Sequence, residues 1–240
     1  AAKVGLRSRS EGPVMECVTS APNLTRLPAL TSSPDDGGPF LTLPLVYTEH
    51  PGPDGHGHNL GMYRMQVHDR STTGMHWQLG KGGGFHHAAA ERNGRDLPVT
   101  AFLGGPPALI ISAIAPLPEN LPELLLASLL QGERLARSSA PGRGHALISE
   151  AEFALAGRVA AGERRREGPF GDHYGYYSLA HDFPVFHVDR LWHRRDAIFP
   201  ATVVAQPRQE DFFIGDYLQE LLSPLFPLVM PTVRDIWTYG

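Results

Sequence analysis

The 240 residues suffice for one large domain or two small ones, and 42% apolar against 19% charged residues is a globular composition. The formal net charge of −4 lacks the basic surplus of nucleic-acid-binding proteins, so no nucleic-acid partner is expected. The single cysteine, Cys17, excludes an intramolecular disulfide and fits a reducing, cytoplasmic setting.

Apolar residues alternate along several short segments, as they do in half-buried strands. Residues 1–38 carry little of this pattern and are predicted to be an N-terminal lead-in segment, whereas residues 39–240 are predicted to form the domain. We predict strands over residues 40–48, 61–69, 98–103, 108–115, 153–159, 185–192 and 198–205, and helices over residues 85–92, 121–131 and 211–222. Short strands with few helices indicate a mainly β (α+β) fold, a β-barrel with inserted helices. No apolar stretch has the length of a membrane span, and the N-terminus lacks the order of a signal peptide, so we expect a soluble protein.

Two segments carry side chains suited to catalysis. Arg64 lies on a predicted strand. It could be an outward-facing surface residue, or it could bind a carboxylate, since a guanidinium offers bidentate geometry. Residues 167–172, EGPFGD, place Glu167 and Asp172 in one glycine-hinged segment that is followed by His173 and three tyrosines. A surface turn would explain the glycines and the proline. Two neighbouring carboxylates, however, push their pKa values apart, which suits proton donation by one of them.

Other polar residues have both a structural and a functional interpretation. Asn120 can cap the predicted helix, and Glu123 then falls at the third helical position, where it completes a capping-box-like start. His56 and His58 lie in a glycine-rich loop and could begin a metal site, although an exposed polar loop explains them as well. Lys81, which three glycines follow, could hold a phosphate together with backbone N–H groups.

Three segments, in this order, resemble the UbiD family of carboxy-lyases. Residues 59–66, NLGMYRMQ, resemble the N-x-G-[IM]-Y-R-x-Q motif of that family, and residues 167–172 resemble its E-G-P-[FY]-G-[DE] segment. Residues 116–132, PLPENLPELLLASLLQG, resemble its proline-punctuated helix with a metal-binding glutamate. The resemblance covers roughly residues 12–240 and implies a split β-barrel of the flavin-reductase-like type.

The resemblance implies a prenylated FMN cofactor and a divalent cation, usually Mn²⁺, between the protein and the flavin phosphate, with K⁺ as an additional ion. It assigns metal binding to Asn59 and Glu123. It assigns cofactor binding to Asn59, Met62, Arg64, Lys81, Ala115, Pro116 and Glu123. The catalytic network would be Arg64, Glu167 and Asp172, with Arg64 binding the substrate carboxylate and Asp172 donating the proton.

The sequence departs from the family at Gly80, where the family has a histidine as its third metal ligand. Water, His86 or His87 would then complete the ligand set, or cation binding would be weaker. The resemblance concerns mainly the central domain of family members, so we expect this chain to be a fragment of a longer protein that forms a homo-oligomer. A flavin prenyltransferase would supply the cofactor.

The implied activity is reversible, non-oxidative decarboxylation of an aromatic or α,β-unsaturated carboxylic acid. One alternative is a metal-dependent, cupin-like β-barrel enzyme that uses His56, His58 and a glutamate, but it gives Arg64 and residues 167–172 no role. Metal analysis with and without flavin would distinguish it. The other alternative is a non-catalytic flavin-binding or assembly module, which a turnover assay would distinguish.

Overall fold

The computed structural model describes residues 4–52, 57–77, 80, 82–117, 121–139, 145–204, 207–225, 227 and 230–234. Its strands are β1 (Leu6–Ser8), β2 (Cys17–Thr19), β3 (Phe40–Leu41), β4 (Leu45–Glu49), β5 (His58–Met62), β6 (Met65–Gln66), β7 (Thr72–Gly74), β8 (Leu97–Leu103), β9 (Leu135–Ser139), β10 (Ala146–Ile148), β11 (Phe153–Glu167) and β12 (His181–His193). Its α-helices are α1 (Gly82–Arg92), α2 (Pro107–Ile114), α3 (Glu123–Gln131) and α4 (Glu210–Leu222). Short 3-10 helices lie at Pro13–Met15, Leu24–Arg26 and Ser223–Leu225. The fold is therefore strand-rich and of mixed α+β class, as the sequence predicts.

The main sheet has the strand order β2-β12-β11-β8-β4-β5, and all of these neighbours are antiparallel. The long hairpin of β11 and β12 forms its centre, and β7 pairs with β12 beside it. A smaller sheet has the order β1-β9-β10, and β3 pairs with β6. Among the described strands β5 lies at one end of the main sheet, so one side of β5 faces the cleft described below.

Both faces of the main sheet are buried, and successive residues of its strands enter different apolar clusters. On β11, Phe153 and Leu155 belong to one cluster, whereas Ala154 and Ala156 belong to the other. Ala90 of α1 joins the first cluster. Helices α2 and α3 contribute to the second cluster. The edge strand β5 therefore has α1 on one side and α2 with α3 on the other.

Several predicted elements differ in the structure. Residues 108–115, predicted as a strand, are the helix α2, because a short apolar run does not distinguish a buried strand from a buried helix. Pro107 at its first position favours the helix. The strand predicted over 61–69 is divided between β5 and β6, and residues 198–204 form no regular strand.

The described strands also pair along an open path, so they show no closed barrel. Within residues 4–38, β1 pairs with β9 and β2 pairs with β12, which joins this segment to both sheets. None of the helices in the described residues combines the length and the apolarity that crossing a bilayer requires.

Candidate functional site

A cleft of about 660 Å³ lies where β5, the end of α2, the start of α3 and the loop after β11 meet. This volume is in the range of small-molecule and cofactor pockets. Most of the predicted site residues line it: Asn59, Met62, Arg64, Ala115, Pro116, Glu123 and Asp172. Lys81 and His56 lie outside the described residues. The fold thus brings together residues that are more than 100 positions apart in the chain.

Arg64 lies in the two-residue link between β5 and β6. Two hydrogen bonds and the Phe170 ring hold its guanidinium. Its Nε lies 3.4 Å from Glu167 Oε1, and its Nη2 lies 3.4 Å from Ser178 Oγ. The guanidinium carbon also lies 4.7 Å from the centre of the Phe170 ring. These contacts fix the guanidinium at the cleft, since a cation over an aromatic ring gains favourable electrostatic energy.

Glu167, the last residue of β11, lies beneath the cleft with its side chain fully buried. Its Oε1 receives the contact from Arg64 and also lies 2.7 Å from His76 Nδ1. A buried carboxylate is stable only with such partners. The other oxygen, Oε2, lies against Gly74, where any side chain would collide with it. Gly74 is therefore required by the close approach of Glu167.

His76 is a residue of the cleft that the sequence motifs do not indicate. It lines the cleft, contacts Glu167, and its ring lies 4.2 Å from the Phe183 ring. No motif surrounds His76 in the chain, and only the pairing of β7 with β12 brings it to Glu167. Its role could therefore not be inferred from sequence spacing.

Asp172 differs from Glu167 in its surroundings. It lines the cleft, and 43% of its side chain is exposed. Its Oδ1 lies 2.9 Å from His173 Nδ1 and accepts a hydrogen bond from the Tyr174 N–H. No hydrogen bond or ion pair joins Asp172 to Arg64 or Glu167 in the described part of the chain. The predicted coupling of the two acids therefore stays a prediction.

The loop that carries Asp172 is fixed by residues far away in the sequence. Gln66 Oε1 accepts a hydrogen bond from Gly168 N–H, and Asp36 Oδ1 accepts one from Gly171 N–H. Because the loop backbone is bound at both points, Asp172 is presented at the cleft by a defined loop and not by a free surface turn.

Glu123 is the first residue of α3, and Pro122 occupies the capping position. The predicted cap by Asn120 falls outside the described residues, and the third helical position predicted for Glu123 is wrong. Its Oε2 instead accepts a hydrogen bond of 3.2 Å from the backbone N–H of Leu60 on β5. Burial raises the pKa of Glu123, which is the expected effect on an acid in a partly dry site.

Asn59 on β5 lies close to Glu123, because Leu60 follows it directly in the chain. Its Nδ2 is buried and has no hydrogen-bond partner among the described residues. Its Oδ1 lies against Gly82, where a side chain would collide with it. An unpaired buried N–H group is unusual in a folded protein and indicates a place for an external hydrogen-bond acceptor, whereas Oδ1 is the atom of Asn59 that could bind a cation.

A second cleft of about 530 Å³ continues from the first and shares Asn59 and Glu123 with it. An amide oxygen and a carboxylate suit a hard divalent cation such as Mn²⁺, which tolerates water as a further ligand. In the described ranges, no three histidine, cysteine or acidic side chains form a ready-made metal cluster. Asn59 Oδ1 and the Glu123 carboxylate therefore suit a cation whose remaining ligands are water or external groups.

Comparison with known proteins identifies related sequences. A model of the UbiD family, described as the 3-octaprenyl-4-hydroxybenzoate carboxy-lyase Rift-related domain, matches residues 6–207. An uncharacterized protein of Chlamydia trachomatis serovar D is 58% identical over 238 residues, or 99% of this chain and 41% of that protein. A Chlamydia pneumoniae protein, named as a subunit of 4-hydroxybenzoate decarboxylase, is 58% identical over 221 residues, or 92% of this chain and 38% of that protein. The chain thus spans about two fifths of these curated relatives.

Two solved structures are similar in fold. The closed form of vanillic acid decarboxylase from Sedimentibacter hydroxybenzoicus has a TM-score of 0.90 and 26% identity, over 98% of this chain and 51% of that chain. An evolved dimeric form of the UbiD-class enzyme HmfF from Pelotomaculum thermopropionicum, in complex with prFMN, has a TM-score of 0.85 and 27% identity. That match covers 97% of this chain and 55% of the other.

Proposed function

The chain belongs to the UbiD family, and we propose that it contributes the prenylated-FMN-binding split-barrel domain of a decarboxylase. The reaction would be the reversible, non-oxidative decarboxylation of an aromatic or α,β-unsaturated carboxylic acid. One observation carries this proposal. Arg64, which Glu167 holds in place, lines the same 660 Å³ cleft as Asn59 and Glu123, whose oxygen atoms could bind a cation. We expect a homo-oligomer in the whole protein.

The cleft contains the residues that would hold the cofactor. Asn59 and Glu123 would bind the divalent cation that neutralises the flavin phosphate. Met62, Ala115 and Pro116 line the cleft and would form the wall against the flavin. When bound, prenylated FMN supplies the electron sink that decarboxylation requires, while the protein supplies binding, orientation and protons.

Arg64 would bind the substrate carboxylate. A guanidinium has five N–H donors, so the contacts with Glu167 and Ser178 leave donors for a bidentate pair with a carboxylate. Glu167 would set the plane of that guanidinium from below, and His76 would hold Glu167 in turn. The substrate would thereby be oriented with its carboxylate at one defined position.

Asp172 would donate the proton that replaces carbon dioxide. Its carboxyl group lines the cleft and remains accessible to water, so it could be reprotonated after each turnover. His173, whose Nδ1 lies 2.9 Å from Asp172, would orient the acid. General acids of this kind act by proton transfer to the reacting atom within hydrogen-bond reach.

The test uses the whole gene product that carries this chain, produced together with a flavin prenyltransferase and supplied with Mn²⁺. We expect the protein to release carbon dioxide from at least one member of a panel of aromatic and α,β-unsaturated acids. Arg64→Ala should abolish the release and Arg92→Ala, at an exposed position near the end of α1, should not. Equal activity in both variants would contradict the proposal. Flavin binding without any release of carbon dioxide would instead favour the non-catalytic module. The cupin-like alternative does not fit membership of the UbiD family.

A further inference from the structure

We propose that His86 provides the nitrogen ligand of the divalent cation, together with Asn59 and Glu123. The inference rests on the proposed function only in expecting a cation beside the flavin phosphate. Gly80 has no side chain that could bind a cation, so another residue must supply the nitrogen. Gly80 has φ +83°, a conformation that other residues rarely adopt, so the backbone itself is suited to glycine there.

The sheet register places His86 on the same side of β5 as Asn59. Thr48 on β4 lies directly opposite Asn59 on β5, and side chains at directly opposed positions share one face of the sheet. The buried Thr48 Oγ1 lies 2.8 Å from His86 Nδ1. The imidazole of His86 is therefore fixed to the direct cross-strand neighbour of Asn59.

Helix α1 supports the same placement. Gly82, the first residue of α1, is the residue against which Asn59 Oδ1 packs. His86 follows it by four positions, and residues four apart lie on one face of an α-helix. His86, Asn59 and Glu123 all line the 530 Å³ cleft. The three donors thus face one space from three elements, α1, β5 and α3.

The contact between His86 and Thr48 matches the way in which proteins hold a metal-binding histidine. Such a histidine usually donates the N–H of one ring nitrogen to an oxygen of the protein, which directs the other nitrogen at the metal. With Nδ1 bonded to Thr48 Oγ1, Nε2 would be the nitrogen that binds the cation.

Neighbouring histidines have different surroundings. His87 is next in the chain, but its ring packs 5.2 Å from Trp77 and it does not line the cleft. His58 lines the cleft, yet its ring stacks on Tyr47 at 5.3 Å, on the face of the sheet opposite to Asn59. These two residues are the matched controls. His50, whose ring lies 5.4 Å from that of His86, is a third.

The ligand set predicts a preference among cations. Oxygen donors alone suit Mg²⁺ as well as Mn²⁺, whereas an imidazole favours transition-metal ions over Mg²⁺. Replacing His86 by glutamine should therefore weaken Mn²⁺ binding more than Mg²⁺ binding. A general collapse of the site would weaken both equally.

The experiment is a Mn²⁺ titration of the whole gene product, followed by the EPR signal of free Mn²⁺, with and without FMN and without any turnover. We expect His86→Gln to weaken Mn²⁺ binding at least about tenfold, and His87→Gln, His58→Gln and His50→Gln to change it by less than about threefold. Unchanged affinity in His86→Gln, or an equal loss in any of the three controls, would overturn the inference.

A second measurement needs no variant. Pulsed EPR of Mn²⁺ bound to the unaltered protein should show coupling to an imidazole nitrogen, and its absence both with and without FMN would overturn the assignment. Neither measurement depends on decarboxylation. A protein that binds Mn²⁺ through His86 but releases no carbon dioxide would refute the proposed activity and leave this ligand set intact.

Discussion

The two halves of the cleft differ in how far the protein completes them with its own atoms. In the half that contains Arg64, the guanidinium and the buried Glu167 carboxylate bind each other, and His76 binds Glu167 as well. In the half that contains Asn59 and Glu123, the Glu123 carboxylate accepts the Leu60 N–H but forms no ion pair with a described residue. Each half keeps one buried atom without a hydrogen-bond partner among the described residues, Glu167 Oε2 in the first and Asn59 Nδ2 in the second. The first half is therefore organised by its own ion pair, whereas the second half leaves a carboxylate for an external cation.

The two halves therefore differ in whether their geometry depends on a bound cofactor or cation. A network of protein groups keeps its geometry whether or not the cofactor is present, which is how catalytic electrostatics are prepared before the reaction. A set of donors that awaits a cation gains its geometry from that cation. Variants of the first half should therefore affect turnover, and variants of the second half should affect cofactor and metal binding.

The largest effect should come from Arg64→Lys. Lysine carries the charge but cannot bind Glu167, Ser178 and a carboxylate in one plane, nor lie flat on Phe170. We expect kcat/KM for decarboxylation to fall about 1000-fold, which is near the loss of one preorganised electrostatic contact in other enzymes. Steady-state kinetics of the flavin-loaded protein measure this. A loss of less than about fivefold would show that the planar fork has no role.

The next largest effect should come from Asp172→Asn, which keeps the shape and removes the transferable proton. General acids contribute about 100-fold to 10,000-fold, and we expect about 100-fold because water can reach the exposed Asp172 site and replace it in part. The rate should fall while the melting temperature stays within about one degree of the unaltered protein. Parallel losses of rate and melting temperature would indicate a structural turn instead.

A smaller effect, on stability, should come from His76→Ala. The variant leaves the buried Glu167 carboxylate with one partner fewer, and a buried acceptor that loses its partner costs about 1–3 kcal/mol. Urea unfolding measures the change. His173→Ala is the control, since His173 contacts the exposed Asp172 and its removal should cost less than about 0.5 kcal/mol. Equal losses in the two variants would contradict the preorganised network.

The smallest effect should come from Thr48→Val in the cation half. Valine has nearly the same shape, so the core should be kept, but His86 Nδ1 loses its oxygen partner. Removing such a supporting bond weakens metal binding by about 10-fold to 100-fold, and we expect the lower value. Mn²⁺ titration of the variant tests this. An unchanged affinity would indicate that His86 does not depend on Thr48.

The strands and helices with a clear period could be predicted from the sequence, and those decided by context could not. The alternation over residues 153–159 and 185–192 predicts the central strands, although β11 and β12 continue well beyond both segments. Residues 108–115 have no period, and only Pro107 indicates that they begin a helix. Strand pairing of residues 6–8 and 17–19 depends on distant partners and leaves no local pattern.

The same distinction holds for the site. The residues named from the family motifs that lie within the described ranges line the cleft, except Glu167, which lies beneath it in contact with Arg64. His76 and Ser178 could not be predicted, because the long hairpin and the loop after β11 bring them to Glu167 and Arg64. The choice between His86 and His87 also required the fold, since the β4–β5 register, the bond to Thr48 and the lining of the cleft distinguish them.

The most direct test of the central claim, that this cleft holds a prenylated flavin, is the visible absorption spectrum of the purified gene product made with a flavin prenyltransferase and Mn²⁺. We predict a flavin spectrum that remains with the protein through gel filtration, in about one equivalent per chain. A colourless protein that also fails to bind FMN in a fluorescence titration would contradict the account.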